Sequence, residues 1–543
     1  MSPIILSFLT LEAIIVLIGT LLGLKRGLGK TVVRTVYLLV IGLVSFFVAR
    51  LLSSKFLVVA VDAVQEFYPE DLKSMFVASP EMETLLANFL TGLAVPFCFA
   101  ILFGLLQLLT LIGFRPLSKK ILAGIFKTEK MCRGSRAAGA AVGLVVAVFV
   151  ASFLLSPLFM ASSVAMSIPE DYLASFGITE AVAQESSSAN NLLSVQTPVR
   201  VLATDEPMPG VFAINKVIAK SLTTFKTPSG AQTSVYQEAP IVAHLAFSMI
   251  DAHSKTLQLG GDDIDAITNA GAILELYVDD SDFIKELASD AISAVGTVLS
   301  ENHSIFGVEL VSTEDNGISN IMDSFIETIS HTTPQTLKAN LVTLFGKPSY
   351  DLLPQDKVDT EEELDYTHVD AKGYHNAGII SAFTHLNALQ SGENVDEQTK
   401  KKGEQAIAGA FATMAGNAAM DSVFNDISVF ASDLISQNAS GLLDETSKES
   451  YEQVVENVQN TIVAVQNSTT EEKVEAVKEV VDSALSEFEM EIEDWQSSII
   501  ASCAVKEFCE GDYLDEYGNP TVSIEDIMAF FGISEEDIPD WAK

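Results

Sequence analysis

Ile4–Lys30 reads IILSFLTLEAIIVLIGTLLGLKRGLGK. Through Leu24 this run carries one ionisable side chain, Glu12, and then three of the next six residues are Lys25, Arg26 and Lys30. At a rise of 1.5 Å per residue, about 20 apolar residues cross the roughly 30 Å hydrocarbon layer of a bilayer, so the run predicts a membrane span ending in a cationic turn. Three more runs of that kind follow, and residues 1–160 read as a four-span module with spans at 4–24, 32–52, 89–114 and 137–160. Arg34 and Arg50 sit near the ends of the second, where a long side chain can snorkel to the interface. Nothing basic precedes Lys25, so the first run lacks the cationic start of a cleaved secretory signal.

Charge divides the chain at the same place. The 543 residues carry a formal net charge of −40, but residues 1–160 hold 14 Lys/Arg against 8 Asp/Glu, and residues 161–543 hold 18 against 64. A basic, apolar module is therefore joined to an acidic one, and the acidic part repels phosphate backbones, which argues against nucleic-acid binding. Four cysteines and 17 prolines exclude disulfide-scaffold and collagen-like classes. The first connection carries Lys25, Arg26, Lys30 and Arg34. The third carries Arg115, Lys119, Lys120, Lys127, Lys130, Arg133 and Arg136, whereas acids dominate the second. Positive-inside reasoning puts the first and third connections in the cytoplasm and both termini, with the acidic domain, outside it.

Small residues recur every four positions: Gly19, Gly23 and Gly27 at the end of the first span, and Gly139, Gly143 and Ala147 in the fourth. That spacing lines one helix face and lets backbones approach, either within a four-helix bundle or across a dimer seam. Glu12 is the acid inside an apolar run, the usual mark of an ion or proton path, although its place near the outer end also lets it reach water. Leu28-Gly29-Lys30-Thr31 imitates the end of a phosphate-binding loop but lacks the earlier glycine at the required position and a preceding strand.

Glu12, the turn Gly23-Leu24-Lys25-Arg26-Gly27-Leu28-Gly29-Lys30, then Gly42 and Ala49, and finally Arg136-Ala137-Ala138-Gly139-Ala140-Ala141-Val142-Gly143-Leu144 together resemble the colicin V production (CvpA) family of bacterial membrane proteins. The resemblance covers about residues 8–160. It departs from the family in having Glu rather than Asp early in the first span and in its long tail. It implies a cytoplasmic-membrane protein linked to toxin production or export and envelope upkeep, without a defined reaction. Some relatives carry an extracytoplasmic serine protease, but Gly-Asp-Ser-Gly and Gly-x-Ser-x-Gly do not occur in this tail.

The tail is predicted to be mainly helical, which makes the fold class all-α. Residues 161–235 read as a tether containing the polar stretch Gln184–Asn191, 236–348 as a helical subdomain, and 349–373 as an irregular linker. A second helical subdomain follows over 374–510, then a turn and short helix over 511–543. Asp263 or Asp265, Asp280 or Asp282, and Ser523 with Asp526 are candidate helix caps. His244 falls on an apolar face as a core histidine. His368, His375, Asp365 and Asp370 form a loose metal-like group without zinc spacing, and Asp262-Asp263 and Asp279–Asp282 lack a calcium loop. No metal or cofactor is expected. Cys503 and Cys509 would lie about 9 Å apart in one helix, so a bridge requires the helix to end between them. The leading expectation is a non-enzymatic scaffold whose acidic domain binds a protein or cell-envelope partner, in a chain that also has the means to self-associate. A tethered hydrolase, or a small channel lined by Glu12, Thr91 and Gln107, is the alternative.

Overall fold

The computed structural model describes residues 3–65, 70–113, 133–165, 211–302, 304–305, 308–309, 318–354, 378–390, 397–438, 448–468, 470–488, 490, 492–509, 513–515, 517–534, 536 and 538–542. Outside them lie Gln184–Asn191, the group of Asp365, Asp370, His368 and His375, most of the 349–373 linker, and the third connection from Arg115 to Cys132. The described residues are mostly helical. They form two compact units, one of Met1–Pro69, Pro80–Phe247 and Asp279–Leu287, the other of Glu70–Ser79, Ser248–Val278 and Ala288–Lys543.

The first unit is built on α1 (Pro3–Arg26), α2 (Leu28–Gln65), α4 (Pro80–Gly113) and α5 (Arg133–Ala165); α3 (Glu70–Ala78) belongs to the second unit. Three of these helices are long and apolar enough to cross a membrane, over Leu28–Ser53, Pro80–Leu109 and Gly134–Leu158. Their outward faces are greasy: Leu39, Leu43, Leu51 and Ile101 are each more than 60% exposed. Leaving side chains of that size in water would forfeit about 1.5–3 kcal/mol each, so these faces suit lipid. Inside, Phe99 of α4 stacks on Phe103 at 5.7 Å and meets Phe153 of α5 at 5.2 Å, around Ile41 and Ala49 of α2.

Gly27 alone separates α1 from α2. Its φ of +76° is a left-handed conformation that a Cβ disfavours. Its amide donates to the Gly23 carbonyl at 3.0 Å, and its own carbonyl accepts from Thr31 Oγ1 at 2.7 Å, so the reversal leaves these groups satisfied. The chain then returns against α5. A Cβ on Gly139 would stand 2.7 Å from the Gly23 carbonyl oxygen and the Gly27 carbonyl carbon, and one on Gly143 would stand 2.8 Å from the Gly19 oxygen. As α1 is read backwards from Gly27 to Gly19, its contacts on α5 advance from Gly139 to Ala147, so the two helices are antiparallel and touch backbone to backbone.

Part of the 161–235 stretch expected as a tether is ordered into this unit. It contains α6 (Val211–Leu222) and an antiparallel hairpin of β1 (Thr224–Lys226) and β2 (Gln232–Ser234), with Phe225 opposite Thr233. Phe225 meets Phe89 of α4 edge-on at 6.2 Å, and Phe283 stacks on Phe89 at 4.3 Å. Ile218 and Leu222 of α6 join the core around Phe99. The apolar spacing of α6 is short, and its packing partners lie far away in sequence, which is why a local reading misses it.

From α7 (Val235–Gln258) onward come α8 (Asp263–Ile273), α9 (Asp282–Asn302), a second small hairpin of β3 (Ser304–Ile305) and β4 (Val308–Glu309), α10 (Ile318–Ser330) and α11 (Leu337–Phe345). Then follow α12 (Ile379–Gln390), α13 (Glu397–Ala415), α14 (Asp421–Asn438), α15 (Lys448–Ala464), α16 (Thr470–Glu487), α17 (Asp494–Ala504) and α18 (Ile524–Phe530). Two caps fall on neighbours of the expected residues: Asp262, rather than Asp263 or Asp265, caps α8 in a capping box with Asp265, and Ser281, rather than Asp280 or Asp282, accepts the Ile284 amide at 3.0 Å at the start of α9. Ser523 and Asp526 form the box that opens α18. The alanine-rich run from Gln398 to Gln437, which has no proline, breaks at Gly416-Asn417. There buried Asn417 donates to Asn340 Oδ1 at 3.0 Å and Thr343 Oγ1 at 2.9 Å while accepting from the Ala419 amide. Helical structure continues past α17 through a π turn at Val505–Cys509; Cys503 and Cys509 are not bridged by a disulfide, and burial pushes the Cys503 thiol up to about 12.

Replacing Gly23 by Val is expected to lower the thermal unfolding midpoint of the detergent-solubilised chain, because overpacking of this kind costs about 1–3 kcal/mol. Gly104→Ala, where a Cβ meets nothing within 4 Å, is the matched control and should leave the midpoint in place. An unchanged Gly23→Val midpoint would show that α1 and α5 do not close there.

Candidate functional site

Two constellations carry ionisable chemistry. In the membrane unit, the Leu28 amide donates to Ser135 Oγ at 3.3 Å, which sets the α1–α2 turn beside the first turn of α5. Lys25, Arg26 and Lys30 therefore share one end of the module with Arg136, and Arg133 opens α5 at that same end. Cations from two connections that are 107 residues apart in sequence are gathered there. Gly19, Gly23, Gly27, Gly139 and Gly143 are consumed by the seam within one chain. Glu12 lies in α1 and is 5% exposed, withdrawn among helices rather than presented to solvent. Thr91 and Gln107 lie on α4, and Gln107 is half-buried.

The second constellation lies in the acidic unit. Asp262 caps α8, Asp265 sits one turn further on, His385 comes from α12 and Lys402 from α13. One ligand atom from each of Asp262, Asp265 and His385 lies within 4.8 Å of the others. Two carboxylates and an imidazole so close are a donor set that suits a divalent cation. The place between the carboxylates is taken by the Lys402 ammonium, which is 2.6 Å from Asp265 Oδ2 and also bonds Asp262 Oδ2. A cation could enter only by displacing that ammonium, so the donor set reads as a buried ion cluster that pins three helices.

Electrostatics follow from burial. Asp265, 2% exposed, is held above the usual carboxylate range because desolvation outweighs its bonds to Lys402 and the Asp262 amide. At Asp262, more open to water, burial is outweighed by the hydrogen bond from Lys402, and its carboxyl is held low. Burial would lower the Lys402 ammonium, but hydrogen bonds to both aspartates raise it. Burial and then repulsion by Lys402 hold His385 below the usual imidazole range, so it is neutral in the fold; its Nε2 has no hydrogen-bond partner among the described residues.

Sequence reading places His244 in the core, whereas it is half-buried; among the described histidines of the acidic unit the buried one is His385. The sequence offers Asp263 or Asp265 as the cap of this helix, and nothing local announces that Lys402 arrives 137 residues after Asp265 to pair with it and with Asp262. Within the acidic unit, an apolar cavity between α15, α16, the π turn and α18 is lined by Val454, Val477, Val481, Leu485, Phe508 and Phe531 among others. Its volume is ≈ 30 Å³, room for one or two water-sized spheres and no substrate. Compared with protein-family models, characterised proteins and solved structures, the chain finds no match.

Lys402→Met should destabilise the acidic unit by about 3 kcal/mol, because it strands buried Asp265 without its counter-ion. Adding Asp265→Asn should restore part of that loss in a double-mutant cycle read by chemical denaturation. The neutral His385 gives a signed pH effect. Below the ordinary imidazole value of about 6.5 the unfolded chain binds a proton that the fold refuses, so stability falls as pH drops through and below that value. His385→Gln should flatten the difference in unfolding midpoint between pH 7.5 and pH 5.5 (roughly one unit either side of that value); an equal slope in both proteins would assign the effect elsewhere.

Proposed function

We propose that the chain is a four-span membrane scaffold of the kind its first 160 residues resemble, the colicin V production family, with α1 as the additional span. In this reading the cationic end of the module faces the cytoplasm, and both termini and the acidic helical part lie on the other side. The scaffold acts without catalysis in toxin production or export, or in envelope maintenance, and the acidic part docks a protein or cell-envelope partner.

The observation that supports this most is the bond between Leu28 and Ser135, because it sets the turn that carries Lys25, Arg26 and Lys30 beside the start of α5, where Arg133 and Arg136 lie. Positive-inside bias operates on such clusters, about 15–20 residues either side of a span. The asymmetry of the tail, 64 acids against 18 bases, agrees with a region that stays clear of anionic lipid surfaces. A channel reading receives less support: Glu12 is withdrawn among the helices, and the glycine seam brings backbones together where a pore would need space.

Orientation is measurable with one engineered thiol. Tyr517 is 81% exposed, and Tyr517→Cys, placed in a chain whose four native cysteines are replaced by serine or alanine, should react with a membrane-impermeant maleimide on intact cells. A thiol introduced at Lys25 should stay protected until lysis. The reverse pattern would overturn the orientation and with it the compartment in which a partner is sought.

A further inference from the structure

We infer that the cleft between α2, α4 and the start of the β1–β2 hairpin binds the headgroup of an anionic phospholipid, with Arg50 as its counter-ion. This rests on the reading that α2 and α4 cross the bilayer. The cleft has a volume of ≈ 430 Å³, within the roughly 300–1,000 Å³ range of small-molecule sites. Arg50, Asn88 and Thr91 supply its polar wall, and Phe47, Leu51 and Val95 its apolar one.

Arg50 stands three residues from the end of the apolar stretch Leu28–Ser53, between Phe47 and Leu51, which are 57% and 67% exposed. A guanidinium on a lipid-facing surface is costly unless an anion accompanies it. Among the described residues Arg50 makes neither an ion pair nor a hydrogen bond, although Glu81 and Glu83 lie in the first turn of α4. The side chains of Asn88 and Thr91 are likewise without a hydrogen-bond partner among the described residues, so the lining offers an amide and a hydroxyl that no described residue engages. Gly92 keeps the floor thin. A Cβ there would press on Val235 and stand 3.2 Å from the Thr223 carbonyl, so glycine lets the hairpin close the cleft from one side.

A phosphate diester satisfies this set. It accepts the planar guanidinium fork, takes the amide and hydroxyl as further donors, and carries acyl chains that continue along the exposed faces of Phe47 and Leu51. An inorganic phosphate would use the polar wall and leave the apolar one wet, which is why the lipid is the better fit.

The test uses the full chain, solubilised in detergent and examined by native mass spectrometry with added dioctanoyl phosphatidylglycerol, dioctanoyl phosphatidylcholine or inorganic phosphate. The wild type should retain phosphatidylglycerol in preference to phosphatidylcholine, and Arg50→Gln should weaken phosphatidylglycerol retention about tenfold, as expected for loss of one charge-assisted contact. Arg50→Lys should keep part of it. If Arg50→Gln fails to fold, as judged by its circular dichroism, the pair Asn88→Leu and Thr91→Val replaces it and should also weaken retention. Equal retention of both lipids, no effect of these substitutions, or protection by inorganic phosphate as strong as by the lipid would each overturn the assignment, the last by making the occupant a soluble anion. Extraction of cell membranes with carbonate separates this from the underlying reading. A chain washed off the membrane defeats the spanning helices themselves, and one that stays but shows no Arg50-dependent preference defeats the cleft alone.

Discussion

The unit that carries the three long apolar helices depends on two helices touching through their backbones. In hydrocarbon there is no hydrophobic gain in putting apolar side chains together, so association relies on dispersion and on how closely the surfaces fit. Gly19 and Gly23 on α1 face Gly139 and Gly143 on α5 with no Cβ between them. That approach is feasible only because Gly27 reverses the chain in a single left-handed residue, so that the end of α1 and the beginning of α2 share the Ser135 end of α5. The same contact brings Lys25, Arg26 and Lys30 to the end of α5 that carries Arg133 and Arg136. Packing and charge topology are thus one constraint seen twice.

The acidic unit is held by different means. Water supplies the hydrophobic drive there, and the cores around Tyr451 and Phe345 are ordinary apolar packing. What fixes the register of its helices is a small number of buried polar links. Lys402 joins α13 to the capped start of α8, and Asn417 ties the break before α14 to α11. In a region where carboxylates outnumber cations more than threefold, a lysine committed to buried Asp265 and its capping neighbour Asp262 is a scarce resource with a specific place. Lys478 does the same on the surface, bridging Asp482 of its own helix at 3.0 Å and Asp494 of the next at 2.6 Å.

Legibility followed range. The apolar runs gave the long helices, although α2 runs on to Gln65, well past the apolar stretch, since helical hydrogen bonding does not end where hydropathy does. Ser523 and Asp526 were readable because a capping box is complete within four residues. The break at Gly416-Asn417 was not, because Asn417 leaves the helix in order to bond Asn340 and Thr343, more than 70 residues upstream. Ordering of 211–235 was hidden for the same reason, as Phe225 needs Phe89 and Phe283 to pack against. The cleft at Arg50 draws its lining from three separated segments, none of which has a binding motif of its own.

What the residues alone determined is whatever depends on neighbours a few positions away: helical periodicity, span length, the four-residue glycine spacing, local caps and the charge of each connection. Rise per residue and side-chain sterics act at that range and admit few alternatives. Only the tertiary structure decided which glycines would face each other, which lysine would enter which pair of aspartates, and which arginine would be left without a partner. Those outcomes come from pairing distant surfaces, and no local energy specifies that choice.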